Sequence, residues 1–326
     1  MTRTLNKPLW RWDGWHRLIP LAVLIIALSA TVVVWHWKTE EEMQRGQNRF
    51  NAVVMAFASD ITDQVSHFEH LLRVGQGLVS HDEGMSAREW QVFVEKLNTE
   101  QDYRGMDGIA VVVPVAGAER TGFETAQRAQ QPEFHIHPEG DRPEYWVNRI
   151  VEPAQAKRAV GFDVGSSPER RRALEESRDS GGFALSAPIG LVTGNPSEPG
   201  LMMYLAAYRG HDVPATVEAR RAALVAWIGV AFRIQEMLKD VMTEFTGLDI
   251  DIFDGDTVSP AAQLFDTHPE QSAFEEPQKR PLFSSRTELK LANRTWLVLA
   301  RSTPAFEAEL SSDTPLLILF GACLSG

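Results

Sequence analysis

The sequence predicts an α+β protein that begins with a membrane-crossing helix, and three observations predict it. Residues 18–34 carry no charged side chain. One long apolar stripe then recurs at helical spacing from Phe50 to Leu72. Beyond it, short apolar or alternating runs at 108–115, 201–208, 224–232 and 248–253 are interleaved with helical patterns. Runs of that kind make sheets of short strands with helices on their faces. At 326 residues the chain exceeds what one core usually supports, so two packed units are expected.

The membrane span comes first. Residues 18–37 supply the roughly 20 residues that cross a bilayer as a helix. Trp10, Trp12 and Trp15 precede it and Trp35 and Trp37 close it, as indoles do at membrane interfaces. Arg3, Lys7, Arg11 and Arg17 lie before the span, and Glu40, Glu41 and Glu42 after it. That asymmetry predicts a cytoplasmic N-terminus in the cell's inner membrane, with the following domain periplasmic or extracellular. Ala27-Leu28-Ser29 has the small residues of a signal-peptide cleavage site, but the apolar run continues through Val32, Val33 and Val34, which favours an uncleaved span. Residues 315–326 are again apolar and uncharged, too short to cross alone, and predict the start of a second transmembrane helix.

Composition narrows the function. The chain is 44% hydrophobic and 23% charged, which is globular rather than disordered. Its net charge of −12 argues against nucleic-acid binding, which needs a basic face. Cys323 is the single cysteine, so no internal disulfide, cysteine zinc site or C-x-x-C redox pair exists.

After the span, residues 38–81 read as one helix. Phe50, Val54, Phe57, Ile61, Val65, Phe68 and Leu72 form a stripe that can pack on the chain's own domain or on a second copy. His67 and His70 are read as surface or packing residues. Ser86-Ala87-Arg88-Glu89 is a capping box that opens the next helix. A strand at 108–115 and a helix at 116–129 follow. Residues 133–137 alternate and predict a half-exposed strand with His135 and His137 on one face, and no third ligand accompanies them.

The stretch 145–188 organises the rest. An extended run, 159–163, ends in Asp163. Ser167-Pro168 then starts a helix that stops at Gly181 and Gly182. A strand returns through Phe183, Ala184 and Leu185. Arg170, Arg171, Arg172, Glu175 and Glu176 read as a solvated helix face. Asp163 is open to two readings, a turn acid bonded to its own backbone or a ligand-facing acid.

Next come a Gly/Pro-rich loop at 190–200, a strand at 201–208 and a polar break at 211–215, which predicts a sub-domain boundary. A strand at 224–232 and a helix at 234–242 follow. A strand at 248–253 turns at Asp254-Gly255, a hairpin signal. Asp249, Asp251, Asp254 and Asp256 miss the spacing of a calcium loop. A last hairpin, 287–291 with 295–301, turns around Asn293-Arg294, and Asn293-Arg294-Thr295 has the pattern of a glycosylation sequon.

An ordered set of short signatures runs through residues 85–301: Gly108-Ile109, Pro114-Val115, Glu119-Arg120, Phe123, Tyr145, Val151-Glu152-Pro153, Ala159-x-Gly161-x-Asp163, Ser167-Pro168-x-Arg170, Ala173-Leu174, Gly181 and Leu185-Ser186-x-Pro188. This set resembles the CHASE family, extracytoplasmic sensory domains of bacterial and plant receptor kinases and cyclases. Ala156 departs from it, standing where family members often carry asparagine. After the cytoplasmic tail (1–17) and transmembrane helix (18–37) read above, the resemblance implies a stalk helix (38–84). Two tandem PAS-like modules follow, membrane-distal (85–213) and membrane-proximal (214–302), and then the second transmembrane helix (from 315).

In the family's plant cytokinin receptors the distal module binds an adenine-type hormone. An acid aligned with Asp163 and a wall residue aligned with Leu185 lie at that pocket. Tyr204 stands where the plant proteins have a smaller threonine, so cytokinin is not transferred as the ligand. Phe183 and Thr193 complete the candidate ligand-binding residues, with no catalytic residue, metal or cofactor. The implied partners are an unidentified small molecule, the membrane, and a second copy joined through stalk and membrane helices. A histidine kinase or a cyclic-dinucleotide enzyme is the implied output, beyond Gly326. The rival readings are a ligand-free dimerising scaffold and a hydrolase, the latter disfavoured because no G-x-S-x-G elbow occurs.

Overall fold

The long apolar stripe and the uncharged run before it lie on one helix, α1 (Trp15–His81). The computed structural model describes residues 15–81, 85–97, 102–192, 199–210, 212–245, 247–268 and 280–312. The chain divides into two units, Met1–Ala52 and Val53–Gly326. In the first, the large apolar side chains from Leu21 to Trp37 are at least 47% exposed, a surface suited to lipid rather than water. Among the described residues α1 is the one helix long and apolar enough to cross a membrane. The expected second crossing, 315–326, lies outside the described residues, as does Cys323.

In the second unit the stripe is spent on the chain's own core. Val54, Phe57, Ile61, Val65, Phe68 and Leu72 are all buried. Phe68 stacks on Phe232 at 4.8 Å between centroids, and Phe57 meets Phe245 edge-on at 5.6 Å. The next helix, α2 (Ala87–Glu95), starts with the expected box: Ser86 Oγ accepts from Glu89 N, and the Glu89 carboxylate accepts from Ser86 N.

The larger sheet contains β1 (Met106–Ala116), β2 (Glu144–Glu152), β3 (Ala184–Leu185), β4 (Ile189–Gly190), β5 (Pro199–Tyr208) and β6 (Leu224–Phe232). Its order is β2-β1-β6-β5-β3, with β4 also on β5, and every pairing is antiparallel. Both faces are covered, so its strands read as nearly continuous apolar runs. Trp227 of β6 joins the same buried cluster as Met202, Tyr204, Ala206 and Val112, while its neighbour Ile228 lies against Gly75 of α1. The even residues of β5 therefore face away from α1.

The smaller sheet has the order β8-β7-β10-β9, from β7 (Leu248–Asp254), β8 (Gln263–Asp266), β9 (Ser284–Leu291) and β10 (Arg294–Ser302). Its acids are held by arginine. Arg301 bonds Asp249 Oδ2 at 2.8 Å and Asp251 Oδ2 at 2.5 Å, and Arg294 pairs with Asp254. The β9–β10 turn is Ala292-Asn293, one residue earlier than the spacing suggests, with Ala292 at φ +50°.

Several expectations are corrected. The division placed at 213/214 falls between β5 and β6, yet β6 sits inside the larger sheet, so the smaller sheet begins only at β7. The polar break is a connection through helix α5 (Val217–Ala223), capped by Thr216, back to the same sheet. Residues 133–137 form no ladder: His137 makes one isolated bridge to Phe162, and prolines at 132 and 138 bracket a stretch too short for more. Asp254-Gly255 is not a tight hairpin, since β7 reaches β8 only across residues 255–262. Helices α3 (Arg120–Arg128) and α4 (Pro168–Ser180) lie between α2 and α5. The charged face of α4 is not simply solvated, because Arg170 is buried and Arg171 lies over the Trp146 indole at 4.1 Å.

Candidate ligand site

The segment leading from β2 into α4 forms the site. It passes through a 3-10 turn, Ala154–Ala159, and then Gly161, whose φ of +81° lies in the left-handed region. A Cβ there would sit 2.1 Å from the His135 carbonyl oxygen, so glycine lets the segment close on residues 135–137.

Asp163 is fully buried. Its Oδ1 accepts from the backbone N–H of Trp146 at 2.9 Å and of Gly165 at 3.1 Å. Its Oδ2 lies 3.6 Å from Arg142 Nε and has no hydrogen-bond partner among the described residues. Burial holds this carboxyl above the usual carboxylate range, opposed by the two backbone donors and Arg142. Asp163 thus caps the 3-10 turn Val164–Ser166 and ties it to β2. Ser167 then caps α4, Pro168 takes its first position, and Gly181 at φ +77° ends it, as the sequence predicts. From α4, Arg170 reaches the Gly190 carbonyl at 2.8 Å and lies 5.4 Å over the Phe162 ring.

Between this segment and the larger sheet is a cavity of about 40 Å³, room for about three waters. Its floor is two cross-strand pairs of small residues, Gly108 opposite Ala231 and Ala110 opposite Gly229. Phe162 and Val164, on either side of Asp163, line it, as does Arg170. Its other polar side chains are Asp107 and Asn148. Burial raises the Asp107 carboxyl, opposed by Arg233. A larger open cleft of about 850 Å³, between α2 and residues 130–137, is lined by Arg88, Lys157, Arg158, His135 and His137 among others. Among the described residues no three His, Cys, Asp or Glu side chains are grouped to hold a metal ion.

The residues named from the sequence are spread around the cavity, and none of the four that are described lines it. Tyr204 is fully buried on the cavity face of β5, its ring within 2.7 Å of where a Cβ of Gly229 would lie. Its hydroxyl has no partner among the described residues, and burial pushes its pKa up. Ala184 shares the cluster of Tyr204, so alternation turns Phe183 and Leu185 to the opposite face. There the Arg73 guanidinium lies 5.0 Å over the Phe183 ring. The Leu185 backbone is bonded to Asn293 of the smaller sheet, N–H to Oδ1 at 2.6 Å and Nδ2 to carbonyl at 3.3 Å. Thr193 lies outside the described residues.

Sequence reasoning did not single out Asp107 and Asn148. One signal was present: Asn148 interrupts the otherwise apolar YWV…IV of β2, and a polar residue at a buried strand position is informative.

The CHASE domain family matches residues 83–265. The chain is 23% identical over 250 residues to a protein of Oryza sativa subsp. japonica named probable histidine kinase 6. That alignment covers 74% of this chain and 25% of the rice protein, so the chain spans about a quarter of its relative. Two solved structures share the fold. One is an extracellular ligand binding receptor from Desulfohalobium retbaense (TM-score 0.52, 11% identity, 78% of this chain and 40% of that one). The other is the periplasmic sensory domain of the Campylobacter jejuni chemoreceptor Tlp1 (TM-score 0.52, 7% identity, 81% and 97%). With more than half of its residues inside the family match, the chain belongs to the CHASE domain family of sensory domains.

Proposed function

We propose that the chain is the membrane-anchored sensory part of a receptor, and that a small molecule binds in the cavity of its larger sheet. The observation that carries this reading is the cavity itself. It lies within the family-matched residues, over a floor kept open by Gly108, Ala110, Gly229 and Ala231, with polar side chains on an otherwise apolar lining. In this reading the larger and smaller sheets are the membrane-distal and membrane-proximal PAS-like modules. The N-terminus is cytoplasmic and the sheets lie outside the inner membrane.

Asp163 is then a positioning residue, holding Phe162 and Val164 against the ligand, and Tyr204 is a back wall. Phe183 and Leu185 sit where a change in the cavity would reach α1 and, through Asn293, the smaller sheet. Thr193, outside the described residues, stays a candidate ligand-binding residue in this reading. The output is of the kind named in the rice relative, a histidine kinase, or a cyclic-dinucleotide enzyme. Driving such a receptor from 1:99 to 99:1 takes about 5.5 kcal/mol of differential affinity. Because the stalk's stripe is covered by the chain's own core, pairing of two copies falls to the membrane segment and the remaining faces of α1.

The test is a thermal-unfolding screen of the full chain in detergent against small polar metabolites, run beside Ala231→Leu, which fills the floor. A compound that stabilises the unaltered chain and not Ala231→Leu supports the reading. Compounds that stabilise both equally bind elsewhere and contradict it. A cavity variant that leaves signalling unchanged favours the ligand-free scaffold.

A further inference from the structure

The polar residues that line the cavity narrow its ligand further than its size does. Asn148 is 5% exposed on β2, and its Nδ2 donates to the Ala159 carbonyl at 3.0 Å. Its Oδ1 is buried with no hydrogen-bond partner among the described residues. Asp107 repeats the pattern at the start of β1: Oδ1 stands 3.5 Å from Arg233 Nε, and Oδ2 is buried without a partner among the described residues. Both residues line the cavity. A buried acceptor without a donor bears the full loss of its hydration, so two of them on residues that line one space call for a ligand that donates.

Charge then selects among donors. Arg170 lines the same space and Arg233 stands beside Asp107, two guanidiniums against one carboxylate. A cationic amine would meet both guanidiniums in a low-dielectric site. A carboxylate would bring more acceptors to oxygens that already lack donors. A neutral group carrying N–H donors and a carbonyl meets neither objection. We infer that the cavity takes a small neutral amide- or urea-type group, with N–H donors for Asn148 Oδ1 and Asp107 Oδ2 and a carbonyl accepting from Arg170. The volume of about 40 Å³ suits a group of about three or four non-hydrogen atoms. The inference rests on the sensor reading above and names the ligand chemistry of that same cavity.

Three probes of similar size and different charge decide it: acetamide, methylammonium and acetate. Each is titrated against the full chain in detergent by ligand-observed NMR. Acetamide is expected to bind at least about tenfold more tightly than either ion. Asp107→Ala, at a side chain 21% exposed and so tolerant of change, and Asn148→Ser are each expected to weaken acetamide by about tenfold, the worth of one good hydrogen bond. Ala231→Leu abolishes binding.

Tighter binding of methylammonium or of acetate overturns the neutral class. Acetamide binding that survives Asp107→Ala and Asn148→Ser but is lost in Ala231→Leu overturns the donor assignment and leaves the small-molecule reading standing. No binding of any probe overturns the inference. If, in addition, no metabolite distinguishes the unaltered chain from Ala231→Leu, the sensor reading falls with it.

Discussion

Asp163→Ala separates a residue that holds the fold from one that only meets a ligand. In the native chain Asp163 Oδ1 accepts two buried backbone N–H groups, from Trp146 and Gly165. Truncation leaves both without a partner, and each such group costs about 1–3 kcal/mol. The sum is roughly 2–6 kcal/mol. Part returns, because the lost carboxylate is buried with Oδ2 unbonded among the described residues. The net destabilisation is about 2–4 kcal/mol. At an m-value of about 2 kcal/mol/M, the urea midpoint falls by about 1–2 M. The assay is urea unfolding in detergent followed by tryptophan fluorescence, since Trp146 and Trp227 pack 4.9 Å apart beside the lesion. Asp163→Asn keeps an oxygen in the place of Oδ1 and loses no more than about 1 kcal/mol. An Asp163→Ala midpoint equal to that of the unaltered chain refutes the capping argument.

Asn293→Ala removes the bonds to both backbone groups of Leu185 and to Glu176; it should cost about 1–2 kcal/mol and speed hydrogen exchange at the Leu185 amide, and unchanged exchange would show that the two sheets are not tied there. Gly161→Ala forces a side chain into a left-handed backbone 2.1 Å from the His135 oxygen, so the melting temperature should drop by more than a surface Gly→Ala change produces. Asp251 is buried, and burial pushes its carboxyl up to about 6, opposed by Arg301 and reinforced by Asp266 and Asp249. An unfolded aspartate titrates near about 4, so the folded state binds this proton more tightly and stability falls as pH rises from about 4 to about 6. Urea midpoints across that range should lose this slope in Asp251→Asn, and an unaltered slope assigns the titration to another group.

Periodicity carried most of the fold. The stripe from Val54 to Leu72 is apolar because the core lies on that side, and Ser167-Pro168 with Gly181 bounds α4 because cap chemistry is local. β2 escaped because Asn148 and Arg149 interrupt its apolar run, and Asn148 lines the cavity. The sub-domain boundary went astray because a polar break marks a surface connection and does not say which sheet receives the next strand; only long-range pairing puts β6 beside β1. Asp163 stands out in sequence as an acid before a helix. That its oxygen is taken by Trp146, seventeen residues earlier, is a tertiary fact. The cavity is harder still to read, because its floor is made of what Gly108, Ala110, Gly229 and Ala231 lack.

The account depends on the two sheets lying across the membrane from the N-terminus, and cysteine labelling tests that most directly. Glu218 is exposed on α5, and Cys323 is the single native cysteine. Glu218→Cys in a Cys323→Ser chain, produced in intact bacteria and treated with a membrane-impermeant maleimide, should be modified before lysis. Modification only after lysis would put the sheets in the cytoplasm and contradict the account.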